Sequence, residues 1–343
     1  SPTTSHSRPG RSTSDERAAR ELPADGQLPM AAFEEETRTE LALDVFFKDL
    51  APRAFAKLRA TVFGLSDDQY IEGLMGEASG LRGLSTRAVV DQMVLSFSEG
   101  KGGGFFFWSI DRRFMVKTLE PGEYLKLRAL LPQYYRHMWT RRKSLLPRFY
   151  GAYSITIQNH EKHFVVMESV FRDAPKGKVH QVYDLKGSWI DRHAGIKAAH
   201  GGTYKDMDLH TPLKLEPSVA EALLEELRHD TRLLMNANLM DYSLLLGMHN
   251  QPVATHGLPG LKVAETSAGS VASEVDVPGY FMGLIDVLQA WNLSKRSERY
   301  AKILFKGRFA KEVKDGMSAV EPNLYRRRFL AGIGYQLGVP SPS

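Results

Sequence analysis

The amino-acid sequence predicts an α+β fold, and three features carry that reading. Strand-like runs gather around a glycine cluster at residues 100–104, a long helical segment follows them, and further strand-like runs alternate with a second helix towards the C-terminus. With 343 residues, 43% of them hydrophobic, the chain can bury one large core or two lobes.

Residues 1–28 are rich in Ser, Thr, Pro and Arg and too poor in apolar side chains to offset the entropy of ordering, so a disordered leader is expected there. Folded structure is expected from about Met30. Between Leu41 and Phe63, the apolar residues Leu43, Phe46, Phe47, Leu50, Phe55, Leu58 and Val62 recur at three- and four-residue spacing, which predicts an amphipathic helix broken near Pro52. A polar, glycine-bearing stretch runs on to about Asp91. Met93–Phe97 and Phe105–Ser109 then flank Gly100-Lys101-Gly102-Gly103-Gly104 as a glycine-turned strand pair, and Phe114–Leu119 adds a strand after Asp111-Arg112-Arg113. A helix is expected from about Glu123 to Arg141, strands over Phe149–Gln158, His163–Val170 and Val182–Leu185, a helix over Pro217–Asn236 and a strand over Ser243–Met248. The Gly-, Ser-, Ala- and Pro-rich segment 250–278 reads as a mobile insertion, and Tyr280–Leu288 as an apolar run leading to Asp286 and Leu288. There is no internal repeat.

Composition excludes several functions. The chain has no cysteine, so disulfides, thiolate zinc sites and a cysteine nucleophile are ruled out; a reducing, cytosolic address is the default. No stretch approaches the ~20 apolar residues of a membrane span, and the first residues lack the apolar run of a signal peptide, so membrane contact is expected to be peripheral. A formal charge of +5 favours anionic partners without choosing among lipid surface, nucleotide and nucleic acid. No nucleic-acid recognition motif is present, and no such partner is expected.

Phosphoryl transfer needs backbone amides close to a triphosphate, a lysine on its phosphates, an acid for magnesium and a residue that orients the nucleophile. Candidates for all four follow in order. The glycine cluster can fold over phosphates as a hairpin or serve as a plain turn; its spacing is not that of a Walker loop. Lys117, in Phe114-Met115-Val116-Lys117-Thr118-Leu119, is a phosphate ligand or an edge-strand lysine. Asp286, at the end of an apolar strand, is a metal acid or a helix cap. Asp241, just before Tyr242-Ser243-Leu244-Leu245, accepts a hydroxyl proton, orients the attacking group or fixes a turn. Lysine strand, hinge-like strand, catalytic-loop acid and metal acid succeed one another as in a two-lobed kinase. The H-R-D, D-F-G and A-P-E strings are absent, which disfavours an ordinary protein kinase.

These residues resemble the phosphatidylinositol phosphate kinases. Gly100-Lys101-Gly102-Gly103-Gly104-Phe105-Phe106-Phe107 is similar to that family's G-K-S-G-S-F-F loop, with glycines replacing both serines. Leu130-Leu131-Pro132-Gln133-Tyr134-Tyr135 resembles its M-L-P-x-Y-Y helix end, and Leu284-Ile285-Asp286 stands where it has I-I-D. Tyr183-Asp184-Leu185-Lys186-Gly187-Ser188 and Met240-Asp241-Tyr242-Ser243-Leu244-Leu245 reproduce its Y-D-L-K-G-S and M-D-Y-S-L-L strings. The similarity runs from about Leu43 to Ile333.

The resemblance implies a two-lobed, kinase-like fold with antiparallel sheets and a flat basic surface facing a membrane. It places the N-terminal lobe at 29–170 and the catalytic lobe at 171–343, and implies use of ATP and Mg2+. Gly100, Lys101, Gly102, Gly103, Gly104 and Lys117 would then attend the phosphates, Val170 and Phe171 the adenine hinge, Asp286 the magnesium, and Asp241 the catalytic loop. Lys186 and Arg192 would sit by the transferred or the substrate phosphate, or form a basic turn paired with acids such as Asp184. Glu123, or the neighbouring Glu120, would pair with Lys117.

In the loop 292–320, Asn292 to Lys302 aligns with the type I pattern, and Glu298 stands at that pattern's glutamate. The type II pattern has alanine there, so the resemblance implies phosphatidylinositol 4-phosphate as substrate and phosphorylation of its 5-hydroxyl; a solvated acid in a basic loop is the alternative. The family's loop touches the membrane. Lys295, Arg296, Arg299 and Lys302 would draw it to anionic lipid, with Ile303, Leu304, Phe305 and Phe309 adding an apolar face. This loop is several residues longer than the type I pattern. The resemblance further implies a peripheral address at the cytosolic face of the plasma membrane, and a homodimer is an open expectation.

Overall fold

Side-chain alternation and short turns build two sheets. This computed structural model describes residues 26–75, 98–99, 105–109, 112–174, 179–195, 202–249, 279–291 and 320–339. In the first sheet are β1 (Glu36–Ala42), β2 (Val45–Leu50), β3 (Ser98–Glu99), β4 (Phe105–Trp108), β5 (Phe114–Leu119), β6 (Phe149–Ile157) and β7 (His160–Glu168). Their order is β1-β2-β6-β7-β5-β4-β3, and every pairing is antiparallel. The second sheet holds β8 (Gln181–Leu185), β9 (Tyr204–Lys205), β10 (Ser243–His249) and β11 (Gly279–Ile285) in the order β11-β10-β8-β9, with β8 and β9 parallel. Around them lie α1 (Ala31–Glu34), α2 (Pro52–Lys57), α3 (Asp67–Met75), α4 (Pro121–Thr140), α5 (Pro217–Asn236) and α6 (Pro322–Gln336).

The helix expected over 41–63 is corrected. Leu41 to Leu50 belongs to a hairpin: β1 and β2 pair through Ala42↔Val45, and Asp44 in the two-residue turn has φ 60°. The spacing of Leu43, Phe46, Phe47 and Leu50 satisfies a helical period, but Phe46 and Phe47 lie on opposite faces of a strand. Arg38 lies over the Phe46 ring at 3.9 Å, while Phe47 stacks on Tyr153 at 5.3 Å. Pairing with β6 on the far side then outweighs the local pattern. Pro52 starts α2 rather than breaking a helix, because its missing N–H and fixed φ suit the first turn. A π-helical turn, Leu58–Val62, continues it.

Helices α4 and α5 bury one face each. Leu127, Leu130, Leu131, Tyr134, Tyr135 and Met138 of α4, and Ala220, Leu223, Leu224, Leu227, Thr231 and Leu234 of α5, recur at three- and four-residue spacing. Between the two helices the fully buried Asp230 of α5 takes the Ser144 hydroxyl at 2.7 Å and the Leu145 N–H at 2.7 Å, and sits 2.6 Å from His137 Nε2 of α4. Leu145 in turn accepts the Leu284 N–H at 2.8 Å, so the segment between α4 and β6 is tied to β11. The sequence reading missed α6. Its Tyr325 and Phe329 pack edge-on against Tyr242 at 4.7 and 5.1 Å, and the Tyr325 hydroxyl donates to the Tyr242 carbonyl.

Candidate active site

A cleft opens between the sheets, lined by Met115 and Met167 of the first, Leu145 and Val170 of the connecting segments, and Met282 and Leu284 of the second. Alternation along β5 puts Lys117 on the same face as Met115, which lines the cleft two residues earlier. The Lys117 ammonium donates to Asp286 Oδ1 at 2.9 Å and lies 3.6 Å from Glu123 Oε1. Burial alone would depress this amine, but the carboxylates of Asp286 and Glu123 outweigh it and raise the pKa above the ordinary lysine value. Glu123 rather than Glu120 is the partner. Glu120 caps α4, and Glu123 accepts the Glu120 N–H at 3.0 Å in the same capping box.

Asp241 and Asp286 stand at neighbouring strand ends. Ser243, two residues after Asp241, pairs with Ile285, the residue before Asp286. Beyond that rung, the Met240 N–H reaches the Gln289 carbonyl at 3.0 Å and Leu239 bridges Ala290, which stitches the two acid-bearing turns together. Both acids lie in the left-handed region, Asp241 at φ 65° and Asp286 at φ 56°. A non-glycine residue held there costs about 1–3 kcal/mol, and such outliers concentrate at functional sites. The Lys186 ammonium closes the second pair, donating to Asp241 Oδ1 at 2.7 Å and to its carbonyl at 2.8 Å.

Arg192 is only 10% exposed in its side chain and is engaged at both ends of its guanidinium. Its Nε donates to Asp206 Oδ2 at 2.6 Å and its Nη2 to Asp184 Oδ1 at 3.1 Å, with a further bond from Nη2 to the Asp184 carbonyl. Both cations of this turn are paired with acids, Lys186 with Asp241 and Arg192 with Asp184 and Asp206. Val170 lines the cleft over Gly283, where an added Cβ would lie 2.9 Å from its Cγ2. Phe171 packs instead over Gly247, whose Cβ would lie 2.5 Å from its ring. Gly100, Lys101, Gly102, Gly103, Gly104, Lys295, Arg296, Glu298, Arg299 and Lys302 lie outside the described residues.

Asp206 escaped the sequence reading. It accepts the N–H groups of Lys186 and Ser188 as well as Arg192 Nε, yet it stands 20 residues beyond Lys186 with no local pattern to link them. The two sheets and the cleft between them, with the lysine–acid pairs at adjacent strand ends, make an α+β, two-lobed, kinase-like fold.

Comparison with known sequences gives the family. Residues 90–257 and 259–334 match the family model described as phosphatidylinositol-4-phosphate 5-kinase, and the chain belongs to this phosphatidylinositol phosphate kinase family. It is 31% identical over 336 residues to the rat phosphatidylinositol 4-phosphate 5-kinase type-1 beta, covering 84% of this chain and 57% of that protein. To the zebrafish phosphatidylinositol 5-phosphate 4-kinase type-2 gamma it is 30% identical over 337 residues, covering 82% and 75%. A probable phosphatidylinositol phosphate kinase of Dictyostelium discoideum is 29% identical over 354 residues, covering 82% of this chain and 46% of that protein. The chain thus spans about half the length of the Dictyostelium and rat relatives. Among the described residues no helix is long and apolar enough to cross a membrane.

Proposed function

We propose that this chain is a lipid kinase that transfers the γ-phosphate of ATP to the 5-hydroxyl of phosphatidylinositol 4-phosphate, giving phosphatidylinositol 4,5-bisphosphate. The observation that carries this reading is the joint placement of the Lys117–Asp286 and Lys186–Asp241 pairs at adjacent strand ends beside an apolar cleft. Val170 and the methionines lining the cleft would hold the adenine. Lys117 would then exchange Asp286 for phosphate oxygens, Asp241 would accept a hydrogen bond from the attacking hydroxyl and aim it, and Lys186 would meet phosphate charge on the acceptor side. Catalysis of this kind is mainly positioning and charge stabilisation.

The residues fit a magnesium ion. Asp286 is 51% exposed in its side chain, and among the described residues no group of three or more metal-binding side chains occurs. Magnesium usually takes one or two carboxylates and completes its shell with phosphate oxygens and water, so a single half-open acid is an adequate protein ligand. When bound, the ion would neutralise charge on the polyphosphate.

Glu298 supports the 4-phosphate as substrate by its match to the type I pattern, and Lys295, Arg296, Arg299 and Lys302 would bring the chain to the cytosolic face of an anionic membrane, the plasma membrane. The zebrafish relative supports a second reading, a 4-kinase acting on phosphatidylinositol 5-phosphate. Labelled ATP with vesicles containing one monophosphate isomer at a time tests both. Label entering the 4-phosphate vesicles is expected; label entering the 5-phosphate alone would replace the first reading with the second, and label entering neither would refute the kinase. Asp286→Ala is expected to abolish turnover in a folded protein, and Glu298→Ala to alter isomer preference; an unchanged preference removes the role given to Glu298.

A further inference from the structure

Asp206 begins the 3₁₀ turn Asp206–Asp208 that follows β9, and its side chain is 11% exposed. One carboxylate oxygen accepts the Lys186 N–H at 2.9 Å and the Ser188 N–H at 3.3 Å. The other accepts Arg192 Nε at 2.6 Å. A single carboxylate therefore holds the backbone of the Lys186-Gly187-Ser188 turn and the cation that follows it. From that turn Lys186 reaches Asp241 twice, at its carboxylate and its carbonyl. From Arg192 the contact continues to Asp184 on β8. A carboxylate accepts at both of its oxygens, so this one side chain takes the two turn amides on one oxygen and the guanidinium on the other.

We propose that Asp206 is a positioning residue for the reaction, acting through Lys186: it fixes the turn so that the Lys186 ammonium stays on Asp241 where the acceptor hydroxyl is aimed. This rests on the kinase reading above. Asp206 touches neither Lys117 nor the cleft lined by Met115, Val170 and Met282, so its influence falls on the acceptor side of the reaction and leaves nucleotide binding alone.

The substitutions Asp206→Ala and Asp206→Asn separate the parts. Alanine removes all three contacts. Asparagine keeps an oxygen for the turn amides but presents an amide donor to Arg192 Nε, which loses the charged arm alone. Because a hydrogen bond to a charged group is worth roughly one to two powers of ten in a rate when it acts on the transition state, kcat on phosphoinositide vesicles is expected to fall about 10-fold in Asp206→Asn and about 100-fold in Asp206→Ala. KM for ATP is expected to stay within about two-fold in both. Hydrogen exchange is expected to quicken across residues 183–192 in Asp206→Ala, a change read without any turnover. Wild-type kcat in Asp206→Asn overturns the proposal, and so does a rise in KM for ATP that tracks the fall in kcat, which marks general loosening of the fold. The Asn variant keeps the test decisive if the Ala variant does not fold. Wild-type protein that labels no phosphoinositide refutes the kinase reading itself, whereas active wild type with an Asp206→Asn variant of undiminished kcat refutes the role of Asp206 alone.

Discussion

Gly187 and Gly332 meet backbone to backbone, so that a Cβ added to Gly332 in α6 would lie 2.6 Å from the Gly187 Cα. Gly187 itself has φ +59°, and its own Cβ would lie 2.7 Å from the Phe329 Cα. The turn that carries Lys186 is thus seated on the backbone of a helix that follows it by more than 130 residues in the chain. Neither neighbour is the flexible end of a side chain, so neither can yield cheaply.

Gly332→Ala is therefore expected to lift α6 from this turn. Overpacking of this kind costs about 1–3 kcal/mol, to be read as a lower urea midpoint at unchanged slope. Turnover is expected to fall with it, because the Lys186–Asp241 pair moves with the turn. Gly122→Ala is the control: it stands near the start of α4 with nothing within 4 Å of an added Cβ, and is expected to be neutral or to stabilise by up to about 1 kcal/mol.

Lys117→Met removes the cation shared by Asp286 and Glu123 while keeping the length of the side chain. Loss of one preorganised charge at a phosphoryl-transfer site is expected to lower kcat/KM for ATP by about 100- to 1,000-fold. Lys117→Arg is expected to restore little, because a planar guanidinium does not place its charge where the compact ammonium sat. Steady-state kinetics with ATP varied checks both. A kcat/KM for ATP near wild type in Lys117→Met would remove Lys117 from the nucleotide site.

Much of this was legible in the sequence. Pro217–Asn236 read as a helix because its apolar residues keep one period over five turns, and Phe114–Leu119 read as a strand because its apolar run is short and follows turn residues; the apolar run read over Tyr280–Leu288 overlaps the strand Gly279–Ile285 but runs on past its end. Lys117, Asp241 and Asp286 stood out as polar residues within or beside such runs. Leu41–Leu50 did not declare itself, because Leu43, Phe46, Phe47 and Leu50 keep a helical spacing and the pairing that overrides it comes from β6, more than 100 residues away. Asp206, Asp230 and Gly332 were silent for a related reason: each owes its role to a partner distant in the chain, and nothing in its own neighbourhood marks it.

Asp49 gives the protein a pH dependence below neutrality. On β2, burial raises its pKa to about 6 from 3.8; Arg59 opposes the shift and Glu35 adds to it. The folded state therefore holds this proton more tightly than the unfolded chain. Its contribution to stability is fully present below about pH 4 and is lost as pH rises through about 6. Asp49→Asn, which stays neutral throughout, is expected to raise the thermal midpoint at pH 7.5 and to flatten this part of the profile between pH 4 and 6. Melting curves across that range check it, and an Asp49→Asn protein that melts at or below wild type at pH 7.5 refutes the assignment.

Asp230 makes the sharpest contrast with Asp206. Fully buried between α4 and α5, it satisfies the Ser144 hydroxyl, the Leu145 N–H and His137 together, and Leu145 passes the contact to the Leu284 N–H of β11. Asp230→Ala strands these groups away from water, and with each orphaned donor costing about 1–3 kcal/mol, a loss of about 3 kcal/mol or more is expected in denaturant unfolding. Asp230→Asn keeps one acceptor and is expected to lose less. Leu145 lines the same cleft as Met115 and Val170, so the Asn variant should raise KM for ATP while leaving the preference between lipid isomers unchanged. That pattern is the reverse of the one expected for Asp206→Asn. Measuring both variants in the same assay shows whether the two acids govern separate halves of the site, and a matching pattern in the two would refute the division.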